Sequence, residues 1–412
     1  MLSGVRGKIK WLVLYFDGDD VSTWFELLKS LVTSLPPKTQ FLICCSEQEH
    51  FDILWDNSFI WAQGKCVKKT EIGQLLQEAK CYLHLVPQAN EFVSIWCRDP
   101  FFFRFEASNP KTIYFSKTGY APNNDFARLN WGQLNFPDFQ IKESDAAQLG
   151  KSLYLSGGNF LADEDFILVG YLEFQRTWMP NEDTQSTFLS TLKTEQLALN
   201  TLLLWANGVN KQLFRKVHLL GKDVSFPKPS SFLGDKVFGH IDCYISLTSS
   251  HKIDVQGKKK YVLLVARIEQ LFLPRSVPQT DWRDTISAWS NCLDAVAQQL
   301  EATGDFEILR NPVPVFALCY WDLDEAHPRL LRPYLGLMNN VLTEITPSTK
   351  KVWLPALKPA LYLTDANEAL AKIEQDNIRL WAALGFEVRV IDANFHPFWK
   401  WLGGIRCLTN HF

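Results

Sequence analysis

Short apolar runs, and longer segments with apolar residues at helical spacing, alternate along the whole chain. The short runs predict strands at Trp11 to Phe16, Gln40 to Cys44, Cys81 to Val86, Phe101 to Glu106, Thr112 to Ser116 and Phe166 to Tyr171. Further strands are predicted at Lys216 to Leu220, Cys243 to Leu247, Tyr261 to Ile268, Val313 to Cys319, Lys351 to Leu354 and Phe386 to Ile391. Helical spacing predicts long helices at about 21–35, 188–207, 281–303 and 365–384. The last has the fullest local signal. Asp365 with Glu368 forms a capping-box pattern, Leu370, Ile373, Leu380, Trp381 and Leu384 form an apolar stripe, and Gly385 supplies the stop.

The Pro-containing stretches at 36–37, 227–229 and 312–314 read as short loops, and no Gly-, Pro- or Ser-rich linker splits the chain. One α/β domain spanning 1–412 is therefore expected. Direct repeats are not visible, although the strand–strand–helix–strand rhythm can conceal structural ones.

Composition narrows the function classes. The 29 Phe, 15 Trp and 11 Tyr supply ample apolar area for a packed core, which excludes a disordered chain. A net charge of −3 excludes a global field drawing the protein onto nucleic acid or an anionic membrane. The basic run Lys258-Lys259-Lys260 reads as a solvated turn. The apolar run at 11–16 is too short for a signal-peptide core, and no stretch approaches the roughly 20 apolar residues of a membrane helix. Nine cysteines without a CxxC pair or zinc-like spacing predict reduced, buried thiols in a reducing compartment. A cytoplasmic protein is expected, with export by a signal-less route left open.

Four segments carry chemistry, each with a plainer reading beside it. In Trp96-Cys97-Arg98-Asp99-Pro100, an Asp at a strand entrance beside a Trp can face a cleft and grip a cation; the alternative is an Arg98–Asp99 surface pair. In Ser156-Gly157-Gly158-Asn159, two glycines permit a close backbone approach, or simply a hairpin turn. In Gly239-His240-Ile241-Asp242, strand alternation would put the imidazole and the carboxylate on one face, suited to proton transfer and cation binding. A metal site with Cys243 and Cys97 competes, but Cys243 would then face the opposite side. In Gly403-Gly404-Ile405-Arg406-Cys407-Leu408-Thr409-Asn410, glycines let Cys407 sit at a cleft rim; alone it reads as an inert core thiol.

Taken in order, these segments resemble those of the guanidine-modifying, or pentein, superfamily over about residues 90 to 412. Its members carry a Trp-x-x-Asp segment, a Gly-Asn turn, a Gly-His-x-Asp strand and a late Gly-containing segment ending in Cys followed by Thr or Ser. The last third is most similar to the catalytic domain of protein-arginine deiminases, through Leu384-Gly385-Phe386, Ile391-Asp392, the aromatic residues Phe395, Phe398 and Trp399, and Cys407-Leu408-Thr409-Asn410. Arg332-Pro333-Tyr334 to Met338-Asn339-Asn340-Val341 matches a family strand that presents asparagine. Agmatine deiminases are also similar. The resemblance implies a pseudo-fivefold α/β propeller of ββαβ modules.

It also implies a deiminase that hydrolyses a guanidinium to a ureido group plus ammonia. Cys407 would be the nucleophile, Asp99 and Asp242 would hold the guanidinium, His240 would move protons, and Trp96 and Asn159 would line the substrate. No metal or organic cofactor is needed for that chemistry. The expected partner is an arginine-containing protein or peptide, or a small guanidine, with no nucleic acid and no membrane. Ser156 stands where small-molecule deiminases carry Glu, a residue that protein-arginine deiminases also lack. Arg406 stands where agmatine and protein-arginine deiminases have His and free-arginine deiminases have Arg. No immunoglobulin-like module or calcium ligand set is recognisable, and Asp17-Gly18-Asp19-Asp20 reads as a turn. Agmatine or free-arginine deimination, amidino transfer, and a catalytically dead binding module are the alternatives. Arg128, Arg267 and Arg332 are candidate contacts to a substrate backbone, or surface ion pairs.

Overall fold

A computed structural model describes residues 7–16, 21–45, 59–62, 65–68, 81–85, 98, 101–106, 109–117, 140–143, 156–163, 165–171, 197, 199–203, 216–221, 240–273, 283–319, 331–359, 363, 366–400 and 403–411. The chain divides into two compact units. One comprises Met1–Leu219, Glu344–Thr346 and Arg406–Phe412; the other comprises Leu220–Thr343 and Pro347–Ile405.

In the first unit, β1 (Trp11–Phe16) is buried at all six positions. Its neighbours explain the unbroken apolar run, since a strand covered on both faces needs no polar side. The helix α1 (Val21–Ser34) crosses from β1 to its parallel partner β2 (Gln40–Cys45), and a final strand, β19 (Thr409–His411), lies antiparallel on the other edge. α1 buries Trp24, Phe25, Leu27, Leu28 and Leu31, with Trp24 edge-on to Phe16 at 5.9 Å. The hairpin β3 (Phe59–Ala62) and β4 (Lys65–Lys68) precedes β5 (Cys81–Leu85), which joins β2 in parallel. Next come β6 (Phe101–Glu106), antiparallel to β7 (Asn109–Lys117), and β8 (Gln140–Glu143), parallel to β7. β9 (Phe160–Ala162), β10 (Phe166–Gly170) and β11 (Lys216–Leu220) form a third sheet, with β9 and β10 antiparallel. The predicted helix at 188–207 is helical at 197, 199 and 200–203, and its other positions lie outside the described residues.

In the second unit, β12 (Ile245–Ile253), β13 (Lys259–Phe272), β14 (Phe306–Cys319) and β15 (Leu331–Leu335) form one sheet in that order. The outer pairs are antiparallel, and the central β13–β14 pair is parallel through the crossover helix α2 (Arg283–Ala302). β16 (Leu342–Ile345), β17 (Lys350–Pro355) and β18 (Glu387–Ile391) form another sheet, its β17–β18 pair parallel through α3 (Asn367–Ala383). A short helix, α4 (His396–Trp399), follows, and α5 (Ile405–Leu408) begins at the last residue of this unit, its other residues belonging to the first. An antiparallel strand, a central strand, a helix and a parallel strand thus recur in β19-β1-α1-β2 and in β12-β13-α2-β14. Among the described residues, no helix is long and apolar enough to cross a membrane.

Three local expectations need correction. The 312–314 stretch is not a loop: β14 runs through Pro312 and Pro314, and the register against β13 shifts between Ile268 and Gln270. A proline has no N–H for the ladder, so a bulge here absorbs the interruption. Next, α3 begins at Asn367 behind Ala366 with no side-chain cap, and Asp365 lies outside the described residues. Within α3, Leu380 and Leu384 are only half-buried, whereas Asn377 is fully buried. Its Nδ2 donates to the Pro312 carbonyl at 2.7 Å, so a polar side chain on the inner face satisfies a backbone acceptor of β14.

The stop of α3 follows its sequence signal. Gly385 takes φ +84°, its N–H donates to the Ala382 carbonyl at 2.9 Å, and the Phe386 N–H donates to the Trp381 carbonyl at 3.2 Å. Phe386 then meets Trp381 edge-on at 4.8 Å. Both the 6→1 and 5→2 bonds of a Schellman ending and its apolar contact are present.

Candidate active site

The Gly-His-x-Asp segment does not extend as a strand. Ile241–Cys243 forms a 3-10 turn with His240 at its N-cap, closed by Cys243 N–H to the His240 carbonyl at 3.2 Å and Tyr244 N–H to the Ile241 carbonyl at 3.2 Å. Strand β12 starts only at Ile245. The period-two argument for a shared face therefore fails, because it requires an extended backbone. It is the turn that orients these side chains. Asp242 has no exposed surface, and His240 is half-buried. The Cys243 thiol lies 3.8 Å from Asp242 Oδ1.

A buried amide network fixes the floor beneath Asp242. Asn339 Nδ2 donates to the Leu264 carbonyl at 3.2 Å and to Asn311 Oδ1 at 3.0 Å, while Ser246 Oγ donates to the Asn339 carbonyl at 2.8 Å. Next to it, Asn340 is fully buried and its Nδ2 donates to the Asp242 carbonyl at 3.5 Å. Asn339 and Asn340 sit on a turn after β15, not on a strand as the family pattern implies. Gly404 packs against Asn340 so closely that a Cβ would lie 2.8 Å from Oδ1 and 2.9 Å from the Asn340 Cβ. Only glycine fits there without displacement. Gly404 lies three residues before Cys407, on the approach to α5.

Cys407 is 2% exposed and free of disulfide bonding. Arg98 holds its segment. The Arg98 N–H donates to the Cys407 carbonyl at 3.4 Å, Arg98 Nε donates to the Arg406 carbonyl at 2.9 Å, and Arg98 Nη2 lies 2.9 Å from His411 Nδ1. Arg98 is only 5% exposed, so the surface ion-pair reading of Arg98–Asp99 does not hold for its arginine. Asp99 and Trp96 themselves lie outside the described residues, as does Cys97.

The Gly-Asn turn meets the same arginine. Gly157–Asn159 is a 3-10 turn, with the Asn159 N–H donating to the Ser156 carbonyl at 3.1 Å, and both Ser156 and Asn159 are buried. A Cβ on Gly157 would lie 2.1 Å from the Arg98 carbonyl oxygen. Because that obstacle is backbone, Gly157→Ala is expected to cost about 1–3 kcal/mol or more in stability. Urea denaturation checks this, and an unchanged midpoint would contradict the tight approach.

His240 and Asp242 thus stand on one turn of the second unit, and the buried thiol Cys407 stands on α5. An imidazole and a carboxylate on one turn suit proton transfer and cation binding, and a buried thiol offers a nucleophile. These are also atom types that ligate a soft divalent ion. Asp242 and Cys407 are buried, which keeps bulk water from competing for whatever they hold.

Of the candidate substrate-backbone contacts, Arg267 is exposed and paired with Glu269 at 2.7 Å, the surface reading. Arg332 lies in β15 with its side chain outside the described positions, and Arg128 is outside the described residues. Arg98 and His411 escaped sequence reasoning as site components. For Arg98 a signal existed, since it is embedded in the Trp96–Pro100 motif. Comparison with models of protein families and with curated proteins finds no match for this chain.

Proposed function

We propose that this chain is a guanidine deiminase with a pentein-type catalytic domain over residues 1–412, acting on protein or peptidyl arginine. One observation carries the reading: the single turn His240–Cys243 holds a half-buried imidazole beside a fully buried carboxylate, in a chain whose late buried thiol, Cys407, is held through its own carbonyl by Arg98. The recurring antiparallel–parallel strand order about a crossover helix supports a propeller of ββαβ modules.

A guanidinium is planar, permanently charged and rich in donors. Asp242, with Asp99 as its proposed partner, accepts from the guanidinium nitrogens and balances the charge away from water. Trp96 and Asn159 line the substrate beside them. The Cys407 thiolate attacks the central carbon, forming a C–S bond, and the guanidinium plane collapses to a tetrahedral centre. His240 gives its proton to the departing nitrogen, the C–N bond breaks, and ammonia leaves with a thiouronium left on sulfur. The now neutral imidazole removes a proton from water as its oxygen bonds to carbon. The C–S bond then breaks, returning the thiolate, and the hydroxyl proton passes to the departed ammonia as ammonium, leaving a neutral ureido product. Atoms and charge balance without a cofactor or redox step.

Free arginine is the second substrate reading, and it rests on Arg406, the residue type found there in free-arginine deiminases. A panel of peptidyl-arginine, free arginine and agmatine, assayed for ammonia and ureido product with and without calcium, tests the proposal. The expected result is ammonia release fastest on peptidyl-arginine, at least about tenfold above the small guanidines in kcat/KM. A guanidinylated amine in place of ammonia would make the chain an amidinotransferase. No turnover of any member, together with no labelling of Cys407 by a haloacetamidine, would overturn the enzyme reading in favour of a binding module.

A further inference from the structure

Helix α5 is one turn long, so its carbonyls depend on partners outside the helix. Arg98 supplies two of them from a single residue. Its backbone N–H takes the Cys407 carbonyl and its Nε takes the Arg406 carbonyl. Its remaining arm reaches past the helix to His411 on β19, whose pairing with β1 is set by Leu12 opposite His411 and Leu14 opposite Thr409. The Arg98 carbonyl in turn is backed by Gly157, at a distance that admits no side chain. One buried arginine thus ties together the first, second and fourth chemical segments.

We infer that Arg98 is a positioning residue for the Cys407 sulfur, acting through the α5 carbonyls, and that unprotonated His411 is the acceptor that holds its guanidinium in place. This inference rests on the deiminase reading for what the sulfur does. A nucleophile displaced by about an ångström can lose a hundredfold in rate, so a residue that only fixes its backbone has kinetic weight. A guanidinium donates and never accepts. His411 Nδ1 must therefore accept the Arg98 bond, leaving the ring proton on Nε2.

Among the described residues, the charged groups facing His411 are Arg98 and Arg406; β1 presents Leu12 opposite it. Burial, then Arg98, then Arg406 push the imidazole well below its ordinary range. Acidification through that depressed range adds a proton at Nδ1, sets donor against donor, and puts a third cation beside two arginines. The clamp opens as pH falls and is closed above it.

The test uses the full chain with Arg98→Gln, Arg98→Lys and His411→Gln. The readouts are kcat and KM on the best guanidine of the panel, the iodoacetamide alkylation rate of Cys407, and the melting temperature. Arg98→Gln is expected to lower kcat about 100-fold with KM changed less than about threefold. Arg98→Lys, which keeps the charge but only a single donor group, should restore part of the loss. His411→Gln keeps an acceptor oxygen but takes no proton, so its acid limb in kcat should move to lower pH than in the wild type. If Arg98→Gln fails to fold, the Lys and His411 variants carry the same comparison.

Equal kcat and equal alkylation rates in the folded variants, with an unmoved acid limb, would overturn the clamp. Failure of the deiminase reading looks different. In that case the wild type itself releases no ammonia, while the ratio of Cys407 alkylation rates between wild type and Arg98→Gln still decides whether Arg98 places the sulfur.

Discussion

Replacing Cys407 with alanine is expected to abolish ammonia release from every guanidine in the panel while leaving the protein folded. The loss should be on the order of 10⁴-fold or more in kcat, because removal of a covalent nucleophile deletes the reaction path rather than weakening it. The fold should survive for a local reason. Cys407 is buried, so the lost sulfur leaves a cavity smaller than a methionine or leucine truncation would, at about 1 kcal/mol. The contacts of α5 with Arg98 run through backbone carbonyls, which alanine keeps. Circular dichroism and a melting curve establish the folded state, and single-turnover ammonia assays with trapped thiouronium establish the chemistry. Turnover within about tenfold of wild type in a folded Cys407→Ala protein would remove the sulfur from the mechanism.

The second large effect is that of Asp242→Asn, for which a fall of about 10²–10⁴ in kcat/KM is expected. The substitution keeps shape and the main-chain bond from Asn340, since that bond ends on the Asp242 carbonyl and not on its carboxylate. What changes is charge. A guanidinium moved into a buried site gives up its hydration, and a fully buried carboxylate is the group that offsets this. An amide brings one acceptor and two donors, and the donors point at a cation that can only donate. The loss should therefore fall on guanidine substrates, whereas alkylation of Cys407 by a neutral reagent should change far less. Similar losses on charged substrate and neutral reagent would mean that Asp242 supports the sulfur and not the substrate. Wild-type kinetics would mean that the carboxylate has no part in binding.

Legibility of this protein from its sequence differed from one level to the next. Strands β1, β6 and β11 coincide with their predicted bounds, and α1, α2 and α3 lie within one or two residues of theirs. β1 is an unbroken apolar run and the three helices carry clear apolar stripes, so for these local pattern and tertiary burial agree. β16 went unread because it is short, and β15 was legible only through the family resemblance, since Pro333 counts against a strand until its edge position is known. β14 was cut at its prolines for the same reason. Asn377 and Asn311 look like surface residues in a sequence, yet they are buried because each satisfies a backbone or amide group that only long-range packing brings within reach.

What the sequence determined by itself was the inventory: which runs become strands, where α3 stops at Gly385, and which four segments hold an imidazole, acidic groups and a sulfur. Those features depend on side-chain type and on neighbours within a turn of the chain. The tertiary structure decided the geometry. It bent His240–Cys243 into a 3-10 turn, set Asn340 beneath Asp242 and against Gly404, and buried Arg98 over the carbonyls of α5. Contacts such as Arg98 to Arg406 join residues 308 positions apart, and no local propensity encodes the meeting of such distant groups.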